Sequence, residues 1–420
     1  MDAREQRGMQ IAATTRLRRT SEGWIVPSQS GGTSYRVRPL VPLRRALPGQ
    51  TIPDYTCTCP DWEARGRDCK HVFAVEFTMR REVASDGMVM TEEVKVTYSQ
   101  EWASYNRAQC QEKETFLPML ADLCSTLPSP QQSRGRPRMP LSDMAFACVY
   151  RVYEGLSARR FDSDVRESQA KGLTEADPHF NTVLRYLRSP EMTPALRSLV
   201  ELSALPLRAV EQDFAIDSTG FSTCRWERWY DAKWGKERSR QSWVKLHAMC
   251  GVRTNIVTAV EISGGHGNDS PYLVPTLATT AQNFTIREVS ADKAYSSKKN
   301  HAAVDDLGGT PYIPFKGPMH AIQGVLPDMP TGKSTWHRMQ YLFAYQRDTF
   351  LAHYHKRSNV ETVFSMIKGK FGGALRSKSE IGQVNEILCK VIAHNLCVLI
   401  ASIHELGLPT PEFGPATIAG

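Results

Sequence analysis

Apolar positions in this chain change their period several times, and the changes divide it. Two short alternating runs, Gly23-Trp-Ile-Val-Pro and Ser34-Tyr-Arg-Val-Arg-Pro-Leu-Val, flank the turn Ser30-Gly-Gly-Thr and predict strands. Residues 97–123 predict one or two helices. The stretch from Pro128 to Pro140, rich in Pro, Ser and Arg, breaks every period and is the strongest boundary. Beyond it, apolar residues at 145, 146, 149, 152, 153 and 156 predict a helix ending near Gly155, and two more helices are predicted around 181–187 and 194–203.

From Ala209 the runs shorten and become β-like. Gln212-Asp-Phe-Ala-Ile-Asp217-Ser-Thr-Gly220 predicts a strand carrying a carboxylate at its end. Val244-Lys-Leu-His-Ala-Met-Cys-Gly and Asn255-Ile-Val-Thr-Ala-Val-Glu-Ile predict a hairpin beside it. A helix is predicted over 270–282, with Pro271 in its first turn and Asp269 or Ser270 as cap. Thr285-Ile-Arg-Glu-Val-Ser-Ala-Asp292 is a second strand ending on an acid. A helix over 300–307, an edge strand at Thr310-Pro-Tyr-Ile-Pro-Phe-Lys316 and a covering helix over 381–403 complete the series.

Residues 353–368 form the most telling stretch. At about 100° per residue, Tyr354, Arg357, Glu361 and Lys368 fall within an arc of roughly 60°, while Val360, Val363, Met366 and Ile367 gather on the inward side. A carboxylate beside two cations and a phenol suits a metal ion and a phosphodiester. A solvated face with intrahelical ion pairs has the same pattern.

Composition sets the class. With 420 residues, two or three domains are expected, and 41% hydrophobic with 23% charged residues is the balance of a folded soluble chain. No apolar run reaches 18 residues and the N-terminus lacks a signal-peptide core, so a cytoplasmic, DNA-associated location without membrane contact is expected. Cysteines in that compartment serve as thiols or metal ligands. The net charge of +8 is uneven: residues 1–56 hold nine arginines and no lysine against four acids, which suits a polyanionic partner.

Cys57, Cys59, Cys69 and His71 lie within fifteen residues and offer the four donors of a closed, structural zinc site. Their spacing, Cys-x-Cys-x9-Cys-x-His, with Cys59-Pro-Asp-Trp62 and Lys70-His71, resembles a SWIM zinc finger. That resemblance implies a small β-β-α module binding DNA or protein. Arg134-Gly-Arg136-Pro-Arg resembles an AT-hook, whose arginines enter a narrow minor groove; a plain linker has the same composition. Trp226, Trp229 and Trp234 alternate with cations between 225 and 243, so that rings could stack on bases while cations track phosphates. Packing of a long hairpin would use the same tryptophans.

The predicted order β-β-β-α-β-α-β-α, with acids at two strand ends and on a late helix, is that of an RNase H-like mixed sheet flanked by helices. Asp217, Asp292 and Glu361 could converge on two Mg²⁺ (or Mn²⁺) ions about 4 Å apart, Asp217 bridging both. Asp213, Asp269, Asp305 and Asp306 compete for these places. Asp217 is preferred because it ends an apolar strand before Ser-Thr-Gly; Asp269 is assigned to a helix cap.

Ala215-Ile-Asp217-Ser-Thr-Gly-Phe, Ser290-Ala-Asp292-Lys-Ala-Tyr295 and Tyr354-x2-Arg357-x3-Glu361-x6-Lys368 together resemble a prokaryotic insertion-sequence DDE transposase of the Tyr-Arg-Glu-Lys branch. The similarity continues through Asp269-Ser-Pro, Ile313-Pro-Phe-Lys316 and Asn385-Glu-x2-Cys-Lys. It implies that Asp217, Asp292 and Glu361 bind the catalytic metals and that Tyr354, Arg357 and Lys368 hold phosphates of double-stranded DNA at a transposon end. It also implies strand transfer to target DNA within a homo-oligomeric synaptic complex. Only 68 residues separate Asp292 from Glu361, too few for a large inserted β-domain. The expected organisation is a zinc finger module (1–85), a helical connector (86–127), a Pro/Arg linker (128–140), a helical, DNA-binding or packing region (141–206), the catalytic domain (207–408) and a tail (409–420). A transposase-derived DNA-binding protein that no longer cuts and another RNase H-like nuclease are the rival readings.

Overall fold

A computed structural model describes residues 3–15, 17–20, 22–28, 34–39, 55–65, 68–83, 89–93, 102–128, 138–223, 243–265, 267–316 and 334–414. Two compact units divide the chain, 1–101 and 102–420.

In the first unit, strands β1 (Arg18–Thr20), β2 (Gly23–Pro27), β3 (Ser34–Pro39) and β4 (Tyr55–Cys57) form an antiparallel sheet in that order. Alternate residues point inward, so Trp24, Val26, Val37, Tyr55 and Cys57 are buried. They join Val72, Ala74 and Val75 of α3 (Lys70–Thr78) in one core. Helix α1 (Ala3–Thr14) packs on α3, and a side chain at Gly8 would collide with Phe73. A short α2 (Pro60–Arg65) and a strand pair, β5 (Met79–Val83) with β6 (Val89–Glu93), complete the unit. The module is therefore larger than the expected β-β-α. The α1 segment escapes a sequence reading because Arg, Glu and Gln interrupt its apolar positions.

The second unit opens with helices: α4 (Trp102–Cys110), α5 (Glu112–Ser125), α6 (Leu141–Glu154), α7 (Asp162–Ala170), α8 (Phe180–Leu187) and α9 (Met192–Ala204). Gly155 ends α6 in the left-handed conformation at φ 66°, as the sequence predicts. The sheet follows, in the order β11-β10-β7-β8-β9. β7 (Asp213–Ser222), β8 (Trp243–Gly251) and β9 (Val257–Gly264) run antiparallel. β10 (Glu288–Ala291) lies parallel to β7, and β11 (Thr310–Tyr312) parallel to β10. Phe214, Ala215 and Ile216 of the central β7 are all fully buried, as expected of a strand covered on both faces.

Helices α10 (Leu273–Ala281) and α11 (Lys298–Asp305) connect the strands. After β11 come α12 (Thr335–Tyr345), α13 (Arg347–Tyr354), α14 (Ser358–Phe371) and α15 (Glu380–Leu406). The order through β11 is the predicted one, a mixed α/β RNase H-like architecture; α12 and most of α13 are additional helices that the sequence did not predict. Helix α15 is long and apolar enough to cross a bilayer, yet 78% of its most apolar window is buried, against α4, α5, α6 and α9 among others.

Two boundaries differ from expectation. The compact units divide at 101/102 and not within 128–140, because α5 packs on α6 and α15 and so belongs to the second unit. The backbone N–H of Phe413, in the expected tail, donates to Asp122 at 2.7 Å, and the Phe413 ring is buried.

Candidate active site and zinc cluster

Asp217 lies in the middle of β7, opposite Ala248 of β8. Ala291 of β10 lies beside Ile216, so the next residue, Asp292, leaves the sheet next to Asp217. There Asp292 accepts the Lys293 N–H at 2.6 Å and caps the turn Lys293–Tyr295. Helix α14 crosses this region and brings Glu361. One guanidinium links the groups: Arg357 Nη1 donates to Asp217 Oδ2 at 2.7 Å and Nη2 to Glu361 Oε1 at 2.6 Å. Burial pushes the Asp217 carboxyl above the usual range, and the charges of Asp292 and Glu361 push the same way. The Ser218 N–H and Arg357 act against them.

The side of β7 that carries Asp217 also presents Thr219 and Phe221, by strand alternation. Lys368, two turns after Glu361, donates to Thr219 Oγ1 at 2.6 Å and sits 5.5 Å from the centre of the Phe221 ring. Burial lowers its ammonium below the ordinary lysine range. Tyr354 is half-buried beside Phe350, and burial raises its phenol. Arg357, Glu361 and Lys368 thus gather along the Asp217 side of β7, and Tyr354 lies near enough to Arg357, Asp292 and Asp217 to feel their charges.

The helix carrying them is not continuous. Tyr354 ends α13, His355–Arg357 tighten into a 3₁₀ turn, and α14 begins at Ser358. The tightened turn coincides with two anchors of opposite direction, Lys356 to Asp213 and Glu288, and Arg357 to Asp217. Val360, Val363 and Ile367 are buried as predicted, but Met366 is 42% exposed and Phe364 packs in its place.

Three of the four competing acids have other partners. Asp213 accepts from Nε and Nη2 of Arg287 at 2.7 Å and from Lys356 at 2.8 Å. Asp305 pairs with Arg338. Asp269 stands at the N-cap position of the turn Ser270–Tyr272, yet its carboxylate caps no N–H there. It accepts Lys245 at 2.7 Å instead, because an ammonium on β8 lies within reach. Glu288, Lys356 and His353 form an anchor that the sequence reading missed: Lys356 Nζ lies 2.7 Å and His353 Nδ1 2.9 Å from Glu288 Oε2. Its one visible signal was the charged Glu288 directly before Val289-Ser-Ala at the start of a buried strand.

In the first unit, Cys57, Cys59, Cys69 and His71 are buried and their ligand atoms all lie within 4.8 Å of one another. His71 Nδ1 is 3.8 Å from both Cys57 Sγ and Cys69 Sγ. Donors about 2.0–2.3 Å from a tetrahedral zinc stand roughly 3.6 Å apart, so the set fits that ion. The Trp62 N–H donates to Cys59 Sγ at 3.4 Å, and the Tyr35 ring packs at a tilt of 37° against the His71 ring, 4.6 Å between centres. With Cys57 donating to it, Cys69 is pulled down to about 4, while Cys57 is pushed up by the same contact. Among the described residues no other His, Cys, Asp or Glu group meets this spacing. Trp226, Trp229, Trp234, Arg134 and Arg136 lie outside the described residues.

Residues 208–396 match the family model for the transposase DDE domain, and residues 50–79 match that of the SWIM zinc finger. The first match spans β7 to most of α15 and includes Asp217, Asp292 and Glu361; the second includes all four buried zinc donors. The chain thus carries a transposase DDE domain, for which DNA is the partner, and N-terminal to it a SWIM zinc finger.

Proposed function

We propose that this protein binds the terminal inverted repeats of its own element, cuts the DNA there and joins the freed ends to target DNA. The observation that carries the reading is the bridge of Arg357 between Asp217 and Glu361, with Asp292 adjacent. Carboxylates from β7 and α14 thereby share one cation, and hard divalent ions suit the same oxygens. Asp217, Asp292 and Glu361 would hold two Mg²⁺ or Mn²⁺ ions. When bound, such ions lower the pKa of the attacking oxygen and stabilise charge on the leaving one.

The protein's own groups do the positioning. Arg357 exchanges its carboxylates for phosphate oxygens of the bound end, a contact its planar fork makes in two places. Lys368 supplies a second phosphate contact, and the Tyr354 phenol a third. Water attacks phosphorus at the element's end, the bond to the 3′ oxygen breaks, and that oxygen takes a proton. The resulting 3′-hydroxyl then attacks a target phosphodiester, loses its proton, and displaces the 3′ oxygen of the target strand. No protein atom becomes covalently attached. Two ends must be handled together, so the working form is a homo-oligomer. Arg134, Arg136 and the tryptophans at 226, 229 and 234 extend the DNA contact.

The test is to incubate the protein with Mg²⁺ and a duplex bearing the inverted repeat that flanks its gene. Nicking at the repeat boundary and joining to a second duplex are expected. Binding without cleavage would favour a DNA-binding protein that no longer cuts. Cleavage of branched or hybrid substrates without joining would favour another RNase H-like nuclease.

A further inference from the structure

The buried helix α15 contains two charged residues that the chemistry above does not use. Glu386 is 3% exposed and Lys390 1% exposed. They are four positions apart and so share one face of the helix. Both serve the same short loop, with opposite polarity. Lys390 Nζ donates to the carbonyls of Gly372 at 2.6 Å and Ala374 at 3.2 Å. The Glu386 carboxylate accepts the N–H groups of Arg376 at 3.0 Å and Ser377 at 2.8 Å.

The loop they hold is the exit of α14. Gly372, at φ 82°, ends that helix in a conformation other residues rarely adopt, and its N–H caps Lys368 O at 2.9 Å. The chain then joins the end of β7: Ser222 N–H donates to Gly373 O at 3.1 Å, and Leu375 N–H to Ser222 O at 2.8 Å. Phe221, the residue before Ser222, has Lys390 at 5.1 Å and Lys368 at 5.5 Å from its ring centre. A buried ammonium and a buried carboxylate are costly in a helix that could have been apolar at both places. Here each satisfies backbone groups of the loop that fixes where α14 lies on β7.

We propose that Glu386 and Lys390 are positioning residues that lock the exit of α14 to β7 and so set Glu361 and Lys368 relative to Asp217. This rests on the reading of Glu361 as a catalytic carboxylate. The opposite end of α14 has its own anchor in Lys356, so the pair completes a two-ended hold on the helix. The misplacement on releasing one end costs on the order of 10²-fold in cleavage, because reacting groups tolerate little displacement.

Hydrogen exchange on the full-length protein tests the hold directly, with no DNA present. In Lys390→Met, and separately in Glu386→Gln, peptides covering 362–377 should exchange on the order of tenfold faster than in the wild type. Peptides from β8 and β9 should be unchanged. A third variant adds Ser222→Cys and Ala374→Cys to Lys390→Met, since bridged neighbours lie within disulfide reach. In its oxidised fraction, verified by mass, slow exchange over 362–377 should return, and DNA cleavage with it. Unchanged exchange in both single variants, or acceleration throughout the second unit, would overturn the proposal. Restored exchange without restored cleavage would refute the positioning role while leaving the loop contact intact. If the wild type itself does not cleave, the transposase reading fails and the exchange result stands alone.

Discussion

Arg357 reaches Asp217 at 2.7 Å across 140 positions of sequence, and the same guanidinium holds Glu361 one helical turn away. Two of the three acids of the proposed mechanism, Asp217 and Glu361, thus share one cation supplied from within the chain. Arg357 must release them before they can hold a divalent ion, and a DNA phosphate is the partner that would draw it off.

Metal affinity therefore depends on Arg357. Arg357→Gln should bind Mn²⁺ more tightly than the wild type in the absence of DNA, measured by calorimetry, while its affinity for an end duplex falls. Arg357→Lys should lose most of the DNA contact as well, since an ammonium cannot take two oxygens in one plane. Equal Mn²⁺ affinity in wild type and Arg357→Gln would remove the competition from the mechanism.

Asp217→Asn, Asp292→Asn and Glu361→Gln should each lower single-turnover cleavage on the order of 10³-fold or more, with end binding retained in a gel-shift assay. Glu361→Gln cutting like the wild type would exclude the assigned triad.

The pH dependence has a definite sign. The folded Asp217 carboxyl sits above its unfolded range, chiefly through burial. Between the two values the native state binds more protons, so this residue's contribution to stability falls as pH rises through that window. Asp217→Asn should consequently melt above the wild type at neutral pH in chelator, and the difference should vanish in acid. A melting point lowered at neutral pH would show that the Arg357 pair outweighs burial.

Zinc removal should act on one unit. Cys69→Ser, or a strong chelator, should make residues 1–101 protease-sensitive while 102–420 keeps its melting transition, because the four donors and their core lie within the first unit. Limited proteolysis followed by mass measurement distinguishes the two. Persistence of the 1–101 fragment without metal would mean that its hydrophobic core suffices.

Much of this was legible beforehand. The β-like runs at 212–220, 244–251 and 255–262 predicted the strands, and Asp292 does follow its strand, though Asp217 lies in the middle of β7 and not at the expected strand end. The Cys and His spacing identified the zinc donors, because four ligands so close in sequence have few ways to be arranged. The pairing of Asp269 with Lys245 was not legible, since the pattern of a cap is local and its actual partner lies on another strand. The exposure of Met366 was hidden for a related reason: a helical wheel assigns faces, but the packing of Phe364 decides how wide the buried face is.

By itself the sequence determined the order of elements from β7 to β11, the four zinc donors and which acids could act, because these follow from local periodicity and spacing. Only the tertiary structure decided that Arg357 stands between Asp217 and Glu361, that Lys356 anchors one end of α14, and that Glu386 and Lys390 hold the other. The contacts of Arg357 with Asp217 and of Lys356 with Glu288 join residues 140 and 68 positions apart, and those of Glu386 and Lys390 depend on how a loop folds back on a helix. Their partners are often backbone carbonyls and amides, which every residue carries and which leave no mark in a sequence.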